Sequence, residues 1–97
     1  MQIKAIRKIE DCLESTNVRD IILDGYITKK FIDYLGLMGK LYYNDEFLKP
    51  YFKVIVKGRY TVKGAQGNKT LRIMLPETET SNDYLNPLIE HIQKYEK

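Results

Sequence analysis

The chain opens with Ile3, Ile6, Ile9 and Leu13 spaced by three and four, a rhythm that lines one face of a helix and leaves Lys4, Lys8, Asp11 and Glu14 outside. It predicts a helix from Ile3 to Glu14, closed by Ser15, Thr16 and Asn17, whose short polar side chains bond nearby backbone. Asp20 to Asp24, with the branched pair Ile21 and Ile22 beside Leu23, reads as a strand that Gly25 interrupts. Thr28 is placed to cap a second helix, Ile27 to clasp Ile32, and Phe31, Ile32, Leu35 and Met38 to form the buried stripe. Gly36 or Gly39 is expected to close that helix in the left-handed conformation. Leu41 to Tyr43 follows as a short strand, then a polar turn at Asn44, Asp45 and Glu46, and Pro50 blocks any helix running onward.

From Tyr51 to Lys63 the period drops to two. Phe52, Val54, Val56, Tyr60 and Val62 take even positions, and Lys53, Lys57, Arg59 and Lys63 take odd ones, with Ile55 the exception on the basic side. A two-residue hairpin at Lys57 and Gly58 would reverse the parity, so the pattern predicts one long strand flexed at Gly58. Gly64 to Asn68 reads as a hairpin loop, and Leu71, Ile73 and Leu75 as the returning strand. Two registers keep the apolar sets together: one pairs Tyr60 with Leu71 and sets Arg59 against Arg72, the other pairs Tyr60 with Ile73 and sets Arg72 against Thr61. Asn86 as cap and Pro87 in the first turn start a last helix whose stripe is Leu88, Ile92 and Tyr95. This order predicts an α+β fold, a single-domain two-layer sandwich over residues 1–97 in which a mainly antiparallel sheet of about four strands packs against about three helices.

Composition narrows the class. At 97 residues and 11.4 kDa, with 43% hydrophobic and 30% charged residues, the chain suits one hydrophobic core and neither a disordered tail nor a disulfide-stapled miniprotein. The lone Cys12 allows no internal disulfide, which points to an intracellular, cytoplasmic setting. No apolar run reaches the length of a membrane span, and Lys4 and Arg7 interrupt any signal-peptide core. The net charge of +3 conceals a strong asymmetry, because Lys49 to Leu75 holds seven bases and no acid while the flanking segments are mildly acidic.

Residues able to do covalent chemistry are scarce. Cys12 and His91 are the only thiol and imidazole and lie on distant predicted helices, where a small buried thiol and a helix-flank histidine are the simpler readings. No cluster of soft ligands suits zinc, and the Glu10 and Glu14 pair reads as a solvated helix face. Gly25 to Lys30 lacks the second glycine and spacing of a phosphate loop, and Lys57 to Gly64 fails the RNA-recognition strand signature after its first two residues. No catalytic residue, metal or cofactor is therefore expected.

The basic segment carries the functional expectation: a binding protein whose sheet face engages a polyanion, chiefly nucleic acid. Lys53, Lys57, Arg59, Lys63, Lys69 and Arg72 would contact phosphates, and Tyr51 would stack on an unpaired base. Lys29 and Lys30, set against the dipole in the first turn of a helix, form a candidate anion site, with two solvated lysines as the ordinary alternative. A wet sheet face guarded by lysines explains the strand residues equally simply. The rival class is a protein-interaction module that docks an acidic partner, or that uses Tyr42, Tyr43 and Phe47 as an interface core; self-association as a homodimer belongs with it.

Overall fold

A computed structural model describes residues 1–9, 17–46, 48–76 and 82–95. Among them are six strands and two short α-helices: β1 (Ile3–Ile9), β2 (Asn17–Leu23), α1 (Lys29–Leu35), β3 (Lys40–Asn44), β4 (Tyr51–Val56), β5 (Tyr60–Ala65), β6 (Thr70–Leu75) and α2 (Asn86–Gln93). Single 3₁₀ turns at Gly36–Met38 and Asn82–Leu85 follow α1 and precede α2. The expectation of about four strands and three helices is thus overturned in favour of a mainly β protein, one antiparallel sheet ordered β1-β2-β6-β5-β4-β3.

The largest correction is at the start. Ile3 to Ile9 is a strand; an irregularity between Ile3 and Ala5 puts Ile3 and Ile6 on one face in spite of their spacing of three, and Ile9 falls on the other. Ile3 pairs with Leu23 and Ile6 with Ile21, so the extra residue brings both isoleucines to the face that Leu23 and Ile21 bury. Asn17, expected in a turn, begins β2. Cys12, Glu10, Glu14, Ser15 and Thr16 lie outside the described residues, as does Phe47.

The middle of the chain corrects the single long strand. β4 and β5 form a hairpin in which Val56 pairs with Tyr60, leaving Lys57, Gly58 and Arg59 as the connection. Arg59 donates its backbone N–H to the Val56 carbonyl at 3.0 Å, and Gly58 supplies the positive φ of 77° that the third position of such a turn demands. An odd number of connecting residues returns the chain with its parity intact, so even positions stay on one face although the strand reverses. β5 and β6 adopt neither expected register: Val62 pairs with Ile73 and Lys63 with Arg72, and β5 runs on through Ala65. The connection after Ala65 is tied down, since Gly67 N–H donates to the Ile27 carbonyl and Ile27 N–H to the Asn68 carbonyl, both at 2.8 Å.

Both helices lie on one side of the sheet. Phe31, Ile32 and Leu35 of α1 and Leu88 and Ile92 of α2 join Ile21, Leu71, Ile73, Val62, Val54 and Phe52 in one buried cluster. Thr28 caps α1 as its type predicts, accepting the Phe31 N–H at 3.2 Å. α1 does not close through a left-handed glycine: Gly36 has φ −60° and Gly39 is extended. Gly39 serves close approach, because a Cβ there would stand 2.2 Å from the Ile55 carbonyl oxygen where the chain enters β3. In α2, Asn86 and Pro87 fall inside the first turn and Leu85 occupies the cap position, so Asn86 is not the cap. The helices are clasped by Tyr34 and His91, whose rings stack at 3.9 Å; the Tyr34 hydroxyl donates to the His91 carbonyl at 2.6 Å and His91 Nε2 donates to the Tyr34 carbonyl at 2.8 Å.

Candidate nucleic-acid interface

The opposite side of the sheet is uncovered in the sense that it carries no described helix, although Val18 at one end of it is only 2% exposed, and its side chains fall into rows across the strands. Residues directly opposite on neighbouring strands share a face. The registers therefore align Arg7, Asp20, Arg72, Lys63, Lys53 and Tyr42 in one row from β1 to β3. A second row runs Ile9, Val18, Met74, Thr61, Ile55 and Lys40. Ile55, the exception in the sequence pattern, thus has apolar company in Met74 and Val18 and is half-buried. On the other side of the charged row, Ala5 pairs with Ile22, Ile22 with Thr70, Ala65 with Tyr51 and Tyr51 with Asn44.

In the charged row three cations stand on adjacent strands, Lys63 paired with Arg72 on one side and with Lys53 on the other. Asp20 follows these three cations, between Arg72 and Arg7, and holds Arg72 in a two-pronged ion pair with Nε 2.9 Å from Oδ1 and Nη2 3.1 Å from Oδ2. Tyr42 closes the other end, exposed, with the ammonium groups of Lys53 and Lys40 each 5.3 Å from its ring centroid. Tyr51 is also exposed and stands one position further along β4 on the same face. A cleft of about 500 Å³ opens where Tyr42, Tyr51 and Lys53 meet the start of the β3–β4 connection at Asp45 and Glu46. A shallower one of about 300 Å³ lies over Lys63, Arg72, Asp20 and Thr70.

The sequence-based set is only partly gathered. Lys53, Lys63, Arg72 and Tyr51 share the face, whereas Lys57 and Arg59 belong to the β4–β5 turn at one end of the sheet. Those two rim a cleft of about 420 Å³ floored by Ile55, Thr61 and Met74. Lys69 lies beyond the opposite end of β5, with its ammonium 4.7 Å from the Tyr26 ring centroid. Of the candidate anion pair, Lys29 is engaged 2.5 Å from Asp33 and lies over the Tyr43 ring at 4.7 Å, while Lys30 is exposed beside Tyr26, Thr28 and Tyr95. Lys40, Tyr42 and Asp20 were absent from the nucleic-acid set. The same alternation that marks β4 places Lys40 and Tyr42 on one face of β3 and Leu41 and Tyr43 on the other, so parity could have found the first two.

Two buried polar groups lie off this face. Arg19 is 3% exposed at the covered end of β2 and donates to Asn17 Oδ1 and, at 3.3 Å, to the Val18 carbonyl. The Tyr60 hydroxyl is buried with no hydrogen-bond partner among the described residues. Burial pushes its pKa above the usual 10.0; nearby Arg59 opposes the shift and Tyr84 adds to it. Among the described residues no cluster of three His, Cys, Asp or Glu side chains could hold a metal, and no helix is long and apolar enough to cross a membrane.

Comparison with protein families, with curated proteins and with solved structures finds no match for this chain. The class that fold and surface define is a small antiparallel sheet covered by helices on one side and carrying a cationic row with exposed tyrosines on the other.

Proposed function

We propose that the protein is a non-catalytic binder of single-stranded nucleic acid, which lies across the strands on the uncovered sheet face. The supporting observation is the run of Lys53, Lys63 and Arg72 on three adjacent strands, ending at the exposed rings of Tyr42 and Tyr51. Like charges opposed across a ladder cost about 0.2–1 kcal/mol per pair, a cost that a polyanion laid along the row removes. A phosphate backbone meets the cations and displaces its condensed counterions, and unpaired bases reach rings able to stack at about 1–3 kcal/mol per base. A sheet face without a described helix suits a splayed single strand, since duplex readout calls for an element that enters a groove. Asp20 sets one boundary of the track, because its carboxylate repels phosphate and occupies Arg72.

Fluorescence anisotropy with labelled single-stranded RNA and DNA tests the reading. With Lys53 and Lys63 neutralising phosphates and Arg72 held by Asp20, log K falls against log salt with a slope of about −1.4. Lys53→Glu with Lys63→Glu flattens that slope, and Tyr42→Ala weakens binding about tenfold with the slope unchanged. Absence of binding at low salt overturns the proposal, and so does a salt slope that survives the double reversal. Capture of an acidic peptide in place of oligonucleotides would move the assignment to the protein-docking class.

A further inference from the structure

The two outer strands of the sheet are finished differently. β1 carries Lys4, Arg7 and Lys8 and the irregularity at Ile3 and Ala5, features that discourage a further strand from adding to it. β3 pairs with β4 in unbroken register from Lys40 to Asn44, and no described strand lies along its outer side. Exposed apolar side chains gather there. Of Tyr26, Leu37, Tyr42, Leu48 and Tyr51, the large hydrophobic residues that stand exposed among those described, only Tyr26 lies away from β3, its flanks or its partner strand. Leu37, just before β3, is 77% exposed, and Leu48, just after it, is 105% exposed.

We propose that β3 adds antiparallel to β3 of a second copy of this chain about a two-fold axis at Tyr42, joining two sheets into one. The strand is self-complementary in that register. Tyr42 meets its own counterpart, Leu41 meets Tyr43, and Lys40 meets Asn44 beside Asp45 of the second copy. No like charges oppose, and Lys40 gains a carboxylate neighbour. Parity is kept as well: Leu41 and Tyr43 of both copies extend the covered face, and Tyr42 extends the uncovered one. The same axis carries the residues before one β3 alongside those after the other. Each exposed Leu37 then comes to the end where the second copy's Leu48 stands, so the apolar residues at both ends of the seam are covered together. A strand with only the exposed tyrosine and without the flanking leucines would lack that second source of burial.

This pairing shares Tyr42 with the nucleic-acid reading but does not rest on it, and its test uses no nucleic acid. Light scattering during gel filtration over a concentration series is expected to approach twice the 11.4 kDa chain mass. Tyr42→Lys, which sets two ammonium groups face to face, weakens the dimer at least tenfold. In a Cys12→Ser background, Tyr42→Cys crosslinks under mild oxidation, because opposed antiparallel positions lie about 4.5–5.5 Å apart between Cα atoms, within disulfide reach. Lys40→Cys does not, since the two-fold displaces it from its own counterpart by four residues, about 13 Å along the strands. A monomer at every concentration overturns the proposal, as does a dimer insensitive to Tyr42→Lys or one that crosslinks through Lys40→Cys and not through Tyr42→Cys.

Discussion

The two faces of this sheet are built from alternate residues of the same strands, yet they are governed by different physics. On the covered face Ile21, Leu71, Ile73, Val62, Val54 and Phe52 are all 0–1% exposed, and the helices supply Phe31, Ile32, Leu88 and Ile92 to meet them. There the constraint is close packing, which accepts any apolar side chain of suitable volume. On the uncovered face the residues are sorted into an apolar row and a charged row, and the charged row sets three cations on neighbouring strands. A surface selected only for solubility intersperses both signs. The covered face therefore explains how the molecule holds together, and the uncovered one carries its electrostatic tension.

Substitutions on adjoining residues of one strand separate the two regimes. Ile73→Ala on the covered face should lower unfolding stability by about 3 kcal/mol through lost burial and the cavity left behind, measured by denaturant titration. Its neighbour Arg72→Ala should cost about 1 kcal/mol, the worth of a partly exposed ion pair with Asp20. Equal losses would break the distinction between the faces.

Tyr60 gives a smaller effect of opposite sign on the covered side. Its hydroxyl is buried without a partner among the described residues, so Tyr60→Phe should stabilise the fold by about 1 kcal/mol. Burial, the main cause, raises the folded-state pKa above the unfolded value of 10.0. The folded protein thus holds the proton more tightly than the unfolded chain. The resulting stability is complete below the unfolded pKa and is lost as pH climbs through the folded one. Thermal melts from neutral pH upward should show the parent losing stability faster than Tyr60→Phe in the alkaline range, and parallel curves would mean that the hydroxyl finds a partner.

How far the sequence carried these assignments follows from what each signal measures. Period-two alternation in Phe52 to Val62 reports which face a residue takes, and it survived a chain reversal because the Lys57 to Arg59 connection is odd in length. The same survival hid the hairpin: parity cannot distinguish one strand from two when the turn preserves it. In β1 a bulge imitated a helical spacing, so Ile3 and Ile6 share a face for a reason that periodicity does not encode. Local capping chemistry was legible at Thr28, whose hydroxyl needs only the next turn of chain. Register was not legible, because it depends on where loops are tied, and the loop after Ala65 is fixed by backbone bonds to the distant Ile27. That register decides which cations meet, and so Lys63 and Arg72, rather than Arg59 and Arg72, became neighbours. Asp20, half the molecule away in sequence, was legible only as an acid of the N-terminal segment.

The smallest expected stability change has the most to say about the uncovered face. Lys63→Glu places a carboxylate between Lys53 and Arg72, so two repulsive cross-strand pairs become attractive ones. The exposure of Lys63 and Arg72 limits the gain to a few tenths and at most about 1 kcal/mol, and added salt should diminish it. The same substitution puts a negative charge in the middle of the proposed phosphate track, where it should weaken oligonucleotide binding more than tenfold at low salt. Stability and affinity then move in opposite directions from a single exchange, the behaviour of a surface whose charge arrangement is strained until it meets an anion. If Lys63→Glu lowers the unfolding midpoint instead, the lysine is held by contacts other than its cationic neighbours, and the row loses its claim to be arranged for a polyanion.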